Sequence, residues 1–184
     1  GRSFPTVFGP ETNVLWSATP PPGHSSPCIS GNRIFLTGYA DGQLLTLAYD
    51  RSTGRELWRR ALPAGKIERG ASLGSPATAT PCTDGEMVCV YFGSFGLAAY
   101  SVDGRELWRY ALPVPVTQHG AGTSPVLAGD RVILNCDQDI DSFLLALDKR
   151  TGKQLWRTAR DEFHRGFSTP LPLPADRPEQ LVVA

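Results

Sequence analysis

Three histidines, an alternating run of aspartates and four cysteines are the side chains best suited to chemistry in this sequence. His119 and His164 stand at matched positions, in "HGAGTSP" and "HRGFSTP", each six residues before a proline. His24 stands three residues before Pro27. Imidazoles at equivalent repeat positions can converge as a paired metal site or exchange protons near neutral pH. The plainer reading is three loop residues that face solvent or make ordinary hydrogen bonds. Asp137, Asp139 and Asp141, in "DQDID", have the spacing of the first part of a calcium loop. The glycine and bidentate glutamate that complete such a loop are missing at the required spacing, so an acidic solvated loop is the simpler reading. Glu68 and Arg69 lie in a long connection with no motif around them. The sequence contains no phosphate-binding Gly-rich loop, no Gly-x-Ser-x-Gly elbow and no His-Glu-x-x-His pair.

Cys28, Cys82, Cys89 and Cys136 form neither a CxxC pair nor a Cys/His cluster. Cys28 and Cys82 follow prolines in "SPC" and "TPC", as though one core slot were used twice. Buried free thiols are expected. A Cys82–Cys89 bridge across a hairpin is the alternative, but a two-residue turn at Asp84-Gly85 would set Cys82 opposite Met87.

Eighteen basic and eighteen acidic residues give a formal net charge of zero. That removes the electrostatic footprint of a nucleic-acid binder and any pull toward an anionic membrane surface. No apolar run approaches the ~18 residues of a membrane span, and the N-terminal stretch has no signal-peptide core. With 19 glycines and 16 prolines beside 41% hydrophobic residues, the composition points to a turn-rich β fold.

Internal repeats set the architecture. Trp16, Trp58, Trp108 and Trp156 alternate along the chain with Ser26-Pro27, Thr80-Pro81, Ser124-Pro125 and Thr169-Pro170. The period is roughly 40–55 residues, in the range of propeller blades. Between these anchors the order is constant: a tight turn, an apolar run, a connection, a second apolar run, a Gly-bearing turn and the Trp strand. The apolar runs "RIFLT" and "LLTLAY" are apolar on both sides, as expected for strands covered on both faces. These features predict an all-β propeller of four-stranded antiparallel blades, partial, with fewer than four blades. A blade end falls in 1–23, blades in about 24–60, 76–110 and 122–157, and an incomplete blade in 168–184. Such an arc leaves apolar end faces that the rest of a longer propeller, or another copy, would cover.

"AYDRSTGRELW" and "ALDKRTGKQLW" share the pattern Ala-x-Asp-x-x-Thr-Gly-[Arg/Lys]-x-x-Trp, and "AYSVDGRELW" is a shorter version of it. Gly54, Gly104 and Gly152 suit a turn position with positive φ, and burying each tryptophan is worth several kcal/mol, at ~25 cal/mol per Å² over some ~200 Å². The pattern resembles the tryptophan-docking repeat of the pyrroloquinoline-quinone (PQQ)-type β-propellers. The resemblance implies that the four tryptophans are structural. Function must then lie in the connections that break the repeat: 17–25, 61–79, 111–123 and 158–168 between blades, and 38–42, 93–95 and 137–141 within them. That face carries His24, Arg69, His119 and His164.

The resemblance also implies a choice of functions. The first is a non-catalytic scaffold that binds a protein or peptide through the loop face, as in the outer-membrane assembly members of the family, with no cofactor expected. The alternative is a segment of a quinoprotein dehydrogenase holding PQQ and calcium and oxidising alcohols or sugars. Many alcohol-oxidising members carry an adjacent cysteine pair, and no two cysteines are adjacent here. A third is a secreted sugar- or polymer-binding module. The family's members are mostly exported to the bacterial periplasm or envelope, although four unpaired thiols sit poorly with an oxidising compartment.

Overall fold

The computed structural model describes residues 5–68, 74–173 and 180–183. Three four-stranded antiparallel sheets follow one another along the chain, each in simple up-and-down order. The first comprises β1 (Cys28–Ser30), β2 (Arg33–Ala40), β3 (Gln43–Asp50) and β4 (Glu56–Pro63). The second comprises β5 (Cys82–Thr83), β6 (Met87–Phe92), β7 (Gly96–Ser101) and β8 (Glu106–Ala111). The third comprises β9 (Val126–Ala128), β10 (Arg131–Cys136), β11 (Phe143–Asp148) and β12 (Gln154–Ala159). A two-stranded sheet, β13 (Leu171–Leu173) with β14 (Gln180–Val182), follows. This is a partial β-propeller of fewer than four complete blades.

Blade stacking explains the two-sided apolar strands. Every residue of β6 is buried. Val88, Val90 and Phe92 pack with Phe35, Leu44 and Leu62 of the first blade. Met87, Cys89 and Tyr91 pack with Val132, Leu134, Phe143 and Leu145 of the third. Successive residues of a strand point to opposite faces, so one strand serves two interfaces.

Three of the four tryptophans reach into the blade that follows them. The indole N–H groups of Trp16, Trp58 and Trp108 donate to the carbonyls of Arg51, Val102 and Lys149, at 2.8, 2.9 and 2.8 Å. Their rings lie against Gly54, Gly104 and Gly152. An alanine Cβ at Gly152 would stand 2.6 Å from the Trp108 ring, and φ there is +69°. Within each blade the Trp faces a small residue across the ladder: Ala48↔Trp58, Ala99↔Trp108, Ala146↔Trp156. Gly152→Ala is therefore expected to destabilise the protein by about 1–3 kcal/mol, from strained φ and a displaced ring. Gly129→Ala is the control: φ is +61° but nothing lies within 4 Å of the added methyl. Its urea midpoint should fall less.

The turns before the Trp strands are held by aspartate. Asp50 Oδ1 accepts the backbone N–H groups of Ser52 and Thr53, both at 2.9 Å, and both their hydroxyls. These bonds, led by the Ser52 hydroxyl, hold its carboxyl below the usual range. Asp148 Oδ1 likewise accepts the N–H groups of Arg150 and Thr151 and the Thr151 hydroxyl.

Two sequence expectations need correction. Cys82 pairs with Cys89, not Met87, because four residues separate Thr83 from Val88. Asp84 Oδ1 accepts the N–H groups of Glu86 and Met87, both at 3.0 Å, which lengthens that turn. Both thiols are free. Burial, then the neighbouring Cys82, pushes the Cys89 thiol well up. The 38–42 stretch is not an open connection either: Ala40 pairs with Gln43, leaving a two-residue Asp41-Gly42 turn with φ of 53° and 74°.

Candidate functional site

Between-blade connections converge at one cavity of about 340 Å³. Its lining includes His24, Glu68, Thr78, His119, Ala121 and Phe167, drawn from all four connections. Glu68 is 6% exposed. Its Oε2 accepts the Ala121 N–H at 2.7 Å, and its own N–H donates to the Ser94 hydroxyl at 3.1 Å. The carboxylate presses on Gly93, where a Cβ would collide with it. Gly120 has φ of 83°, and Gly122 lets the Phe167 ring lie against the backbone. Burial pushes the Glu68 carboxyl up to about 7, partly offset by the Ala121 N–H bond.

The other predicted residues divide. His24 and His119 share this cavity, with the His119 and Phe167 rings 6.4 Å apart. His164 is exposed and does not line it. Arg69 lies outside the described residues.

The aspartates separate. Asp137 is 7% exposed. It takes both arms of Arg160, at 2.8 and 3.1 Å, and the Asn135 amide at 3.0 Å. Asp139 pairs with Arg165. Asp141 has φ of 60° and gives its carbonyl to Gln138. Among the described residues no three His, Cys, Asp or Glu side chains are arranged to hold a metal ion. Arg160 and Arg165 engage two of the three carboxylates, so the Asp137–Asp141 run is not an open set of calcium donors.

Those same pairings bind three connections into one surface. Arg165 also donates to the Gln118 side chain at 3.2 Å. Asp139 N–H donates to the Val116 carbonyl at 2.8 Å, and Val116 N–H to the Gln138 side chain at 3.0 Å. Arg160 lies 4.0 Å from the centre of the Phe163 ring. On this surface Val116, Ile140, Phe163 and Phe167 are exposed, by 52, 60, 45 and 45%.

A further set, unassigned in the sequence, runs through the inner strands. Ser26 N–H donates to Thr80 Oγ1, Thr80 N–H to Ser124 Oγ and Ser124 N–H to Thr169 Oγ1, at 3.1, 2.9 and 3.2 Å. The repeated Ser/Thr-Pro anchor thus joins each inner strand to the next and fixes where the preceding connections end.

The family model described as "Outer membrane protein assembly factor BamB" matches residues 6–171. The chain belongs to this BamB-like, PQQ-type propeller family. Among solved structures, the BamB-like chain is similar to BamB from Moraxella catarrhalis, at 22% identity and a TM-score of 0.54 over 84% of this chain and 45% of that one. It is similar to a europium-containing methanol dehydrogenase at 14% identity and a TM-score of 0.57, over 74% of this chain and 25% of that one. It is also similar to the computationally designed Ika4 protein, at 14% identity and a TM-score of 0.56, over 89% of this chain and 95% of that one. The BamB-like chain therefore spans a quarter of the dehydrogenase and under half of the Moraxella protein. These likenesses concern the fold. No curated protein sequence matches.

Proposed function

We propose that this chain is part of a non-catalytic scaffold in the bacterial cell envelope, exported to the periplasmic side, that binds a protein or peptide through its loop face. The observation that carries this reading is the set of four exposed apolar side chains on connections locked together by Arg165, Asp139, Gln118 and Gln138. A preformed apolar surface rimmed by arginines suits a protein partner, because little ordering entropy is lost on docking. The family description, an outer-membrane assembly factor, supports the same class of work. No cofactor enters this reading. The rest of a propeller would cover the end faces, where Leu171, Leu173 and Val182 are exposed.

The test is capture of the partner by the full-length parent from an envelope extract. Ile140→Asp and Phe163→Asp change exposed side chains and leave the blades intact. Each is expected to weaken capture by about tenfold or more, the scale of a hot-spot loss. Replacing 111–123 by a short turn should abolish it. Retention of the partner by all three variants would place binding on another surface.

A further inference from the structure

Glu68 has no cationic partner among the described residues, unlike Asp137 and Asp139 on the same face. A desolvated carboxylate gains most from a charge that arrives with its own hydrogen-bond donors. The space above it is at the small end of ligand pockets, which run from about 300 to 1,000 Å³. That suits one long side chain rather than a folded element. The walls match such a guest: Phe167 offers a ring to a cation or an alkyl stem, and Gly120, Ala121 and Gly122 leave the wall smooth. His24 and His119 add imidazole rings to the same wall. The cavity opens on the face that carries the exposed Phe167.

We propose that this cavity is a socket for a basic side chain, lysine or arginine, presented by the protein partner and anchored on the Glu68 carboxylate. The inference rests on the scaffold reading above. A charged anchor on a buried carboxylate would select the partner, and the apolar patch beside it would add affinity.

The test uses blocked lysine and blocked arginine as probes, with blocked norleucine as the uncharged control of similar length. Binding is followed by NMR at about pH 8, where Glu68 is ionised. The lysine and arginine probes are expected to shift the Ala121 amide saturably, and norleucine is not. Butylammonium is the arm for a free amine: binding as tight as blocked lysine would assign the socket to a small amine and overturn the proposal. Glu68→Gln should weaken the basic probes by about tenfold or more, the loss of a charge-assisted pair. Should that variant not fold, the wild-type protein decides. Bound lysine must lower the pH midpoint of the Glu68 carboxyl resonance, because an adjacent ammonium favours the carboxylate. A midpoint unmoved by lysine overturns the proposal. So does equal response to norleucine. Loss of partner capture in Ile140→Asp with no response to lysine would retain the scaffold and reject the socket.

Discussion

Replacing Trp108 by alanine is expected to cost about 3–5 kcal/mol of stability, the range for truncating a large buried aromatic. Trp108 is 7% exposed and belongs to the cluster that joins the second blade to the third. The substitution empties that interface beside Leu145 and Leu147. It also leaves the Lys149 carbonyl without its indole donor and uncovers Gly152. Trp58→Ala should cost less, because that ring is only half-buried and Arg60, 5.8 Å from its centre, can settle toward the gap. Trp16→Ala should cost less again, since its surroundings are largely exposed. Urea denaturation of the three variants tests the order. Stacked repeats share stability between neighbours, so loss of Trp108 should also broaden the transition as the third blade uncouples. An unchanged midpoint for Trp108→Ala would remove the structural role of these tryptophans.

The repeat was legible in the sequence because it is a local signal used several times in phase. The turn glycines, the small residue opposite each Trp and the apolar strands all recur within about one blade length. Even the single difference between "GRELWRRALP" and "GRELWRYALP" has a shared purpose. Arg60 donates to the Gly104 carbonyl at 2.6 Å, and the Tyr110 hydroxyl bonds Gln154 at 2.7 Å, so both positions tie one blade to the next. The Ser/Thr-Pro anchors were visible as a period but not as a ladder, since each hydroxyl serves a backbone group in the preceding blade. The Asp137–Asp141 run is not simply the solvated acidic loop expected, because Asp137 is buried against Arg160. Alternating carboxylates suggest a cation, but the cations that arrive are Arg160 and Arg165, from a connection whose placement no local pattern encodes. His164 matches His119 in repeat phase, yet Arg165 beside it adopts φ of 55° to reach Asp139, and the imidazole stays in solvent. Glu68 had no motif because its partner is the Ala121 backbone N–H, which any residue but proline could supply.

Glu68 should make stability fall as pH rises toward neutrality, and Glu68→Gln should abolish that fall. In the folded protein burial raises the carboxyl to about 7, against an ordinary value of 4.5. Below the unfolded value both states are protonated, and the stabilisation from a neutral buried acid is fully present. Between the two values the unfolded chain releases its proton while the folded chain keeps it. The unfolded state then binds fewer protons, so the free energy of unfolding declines by about 1.4 kcal/mol per pH unit. Over that window the decline amounts to about 3 kcal/mol, and it levels off once the folded group also ionises. His24 and His119 face the same cavity, and both are present in wild type and variant, so the difference between the two profiles isolates Glu68. Glutamine keeps an oxygen for the Ala121 N–H and is neutral throughout. The two proteins should therefore have similar stability near pH 4, and the variant should be more stable by about 3 kcal/mol near pH 8. Parallel urea titrations across this range give the difference directly. Two parallel profiles would show that the carboxyl titrates in the folded protein as it does in the unfolded chain, and that the cavity floor is wet. A basic guest held on the ionised carboxylate would reverse the sign of the penalty, because it binds the folded state and not the unfolded chain. The same residue that weakens the isolated scaffold above neutrality would then strengthen the complex there, which couples the stability of this face to its occupation.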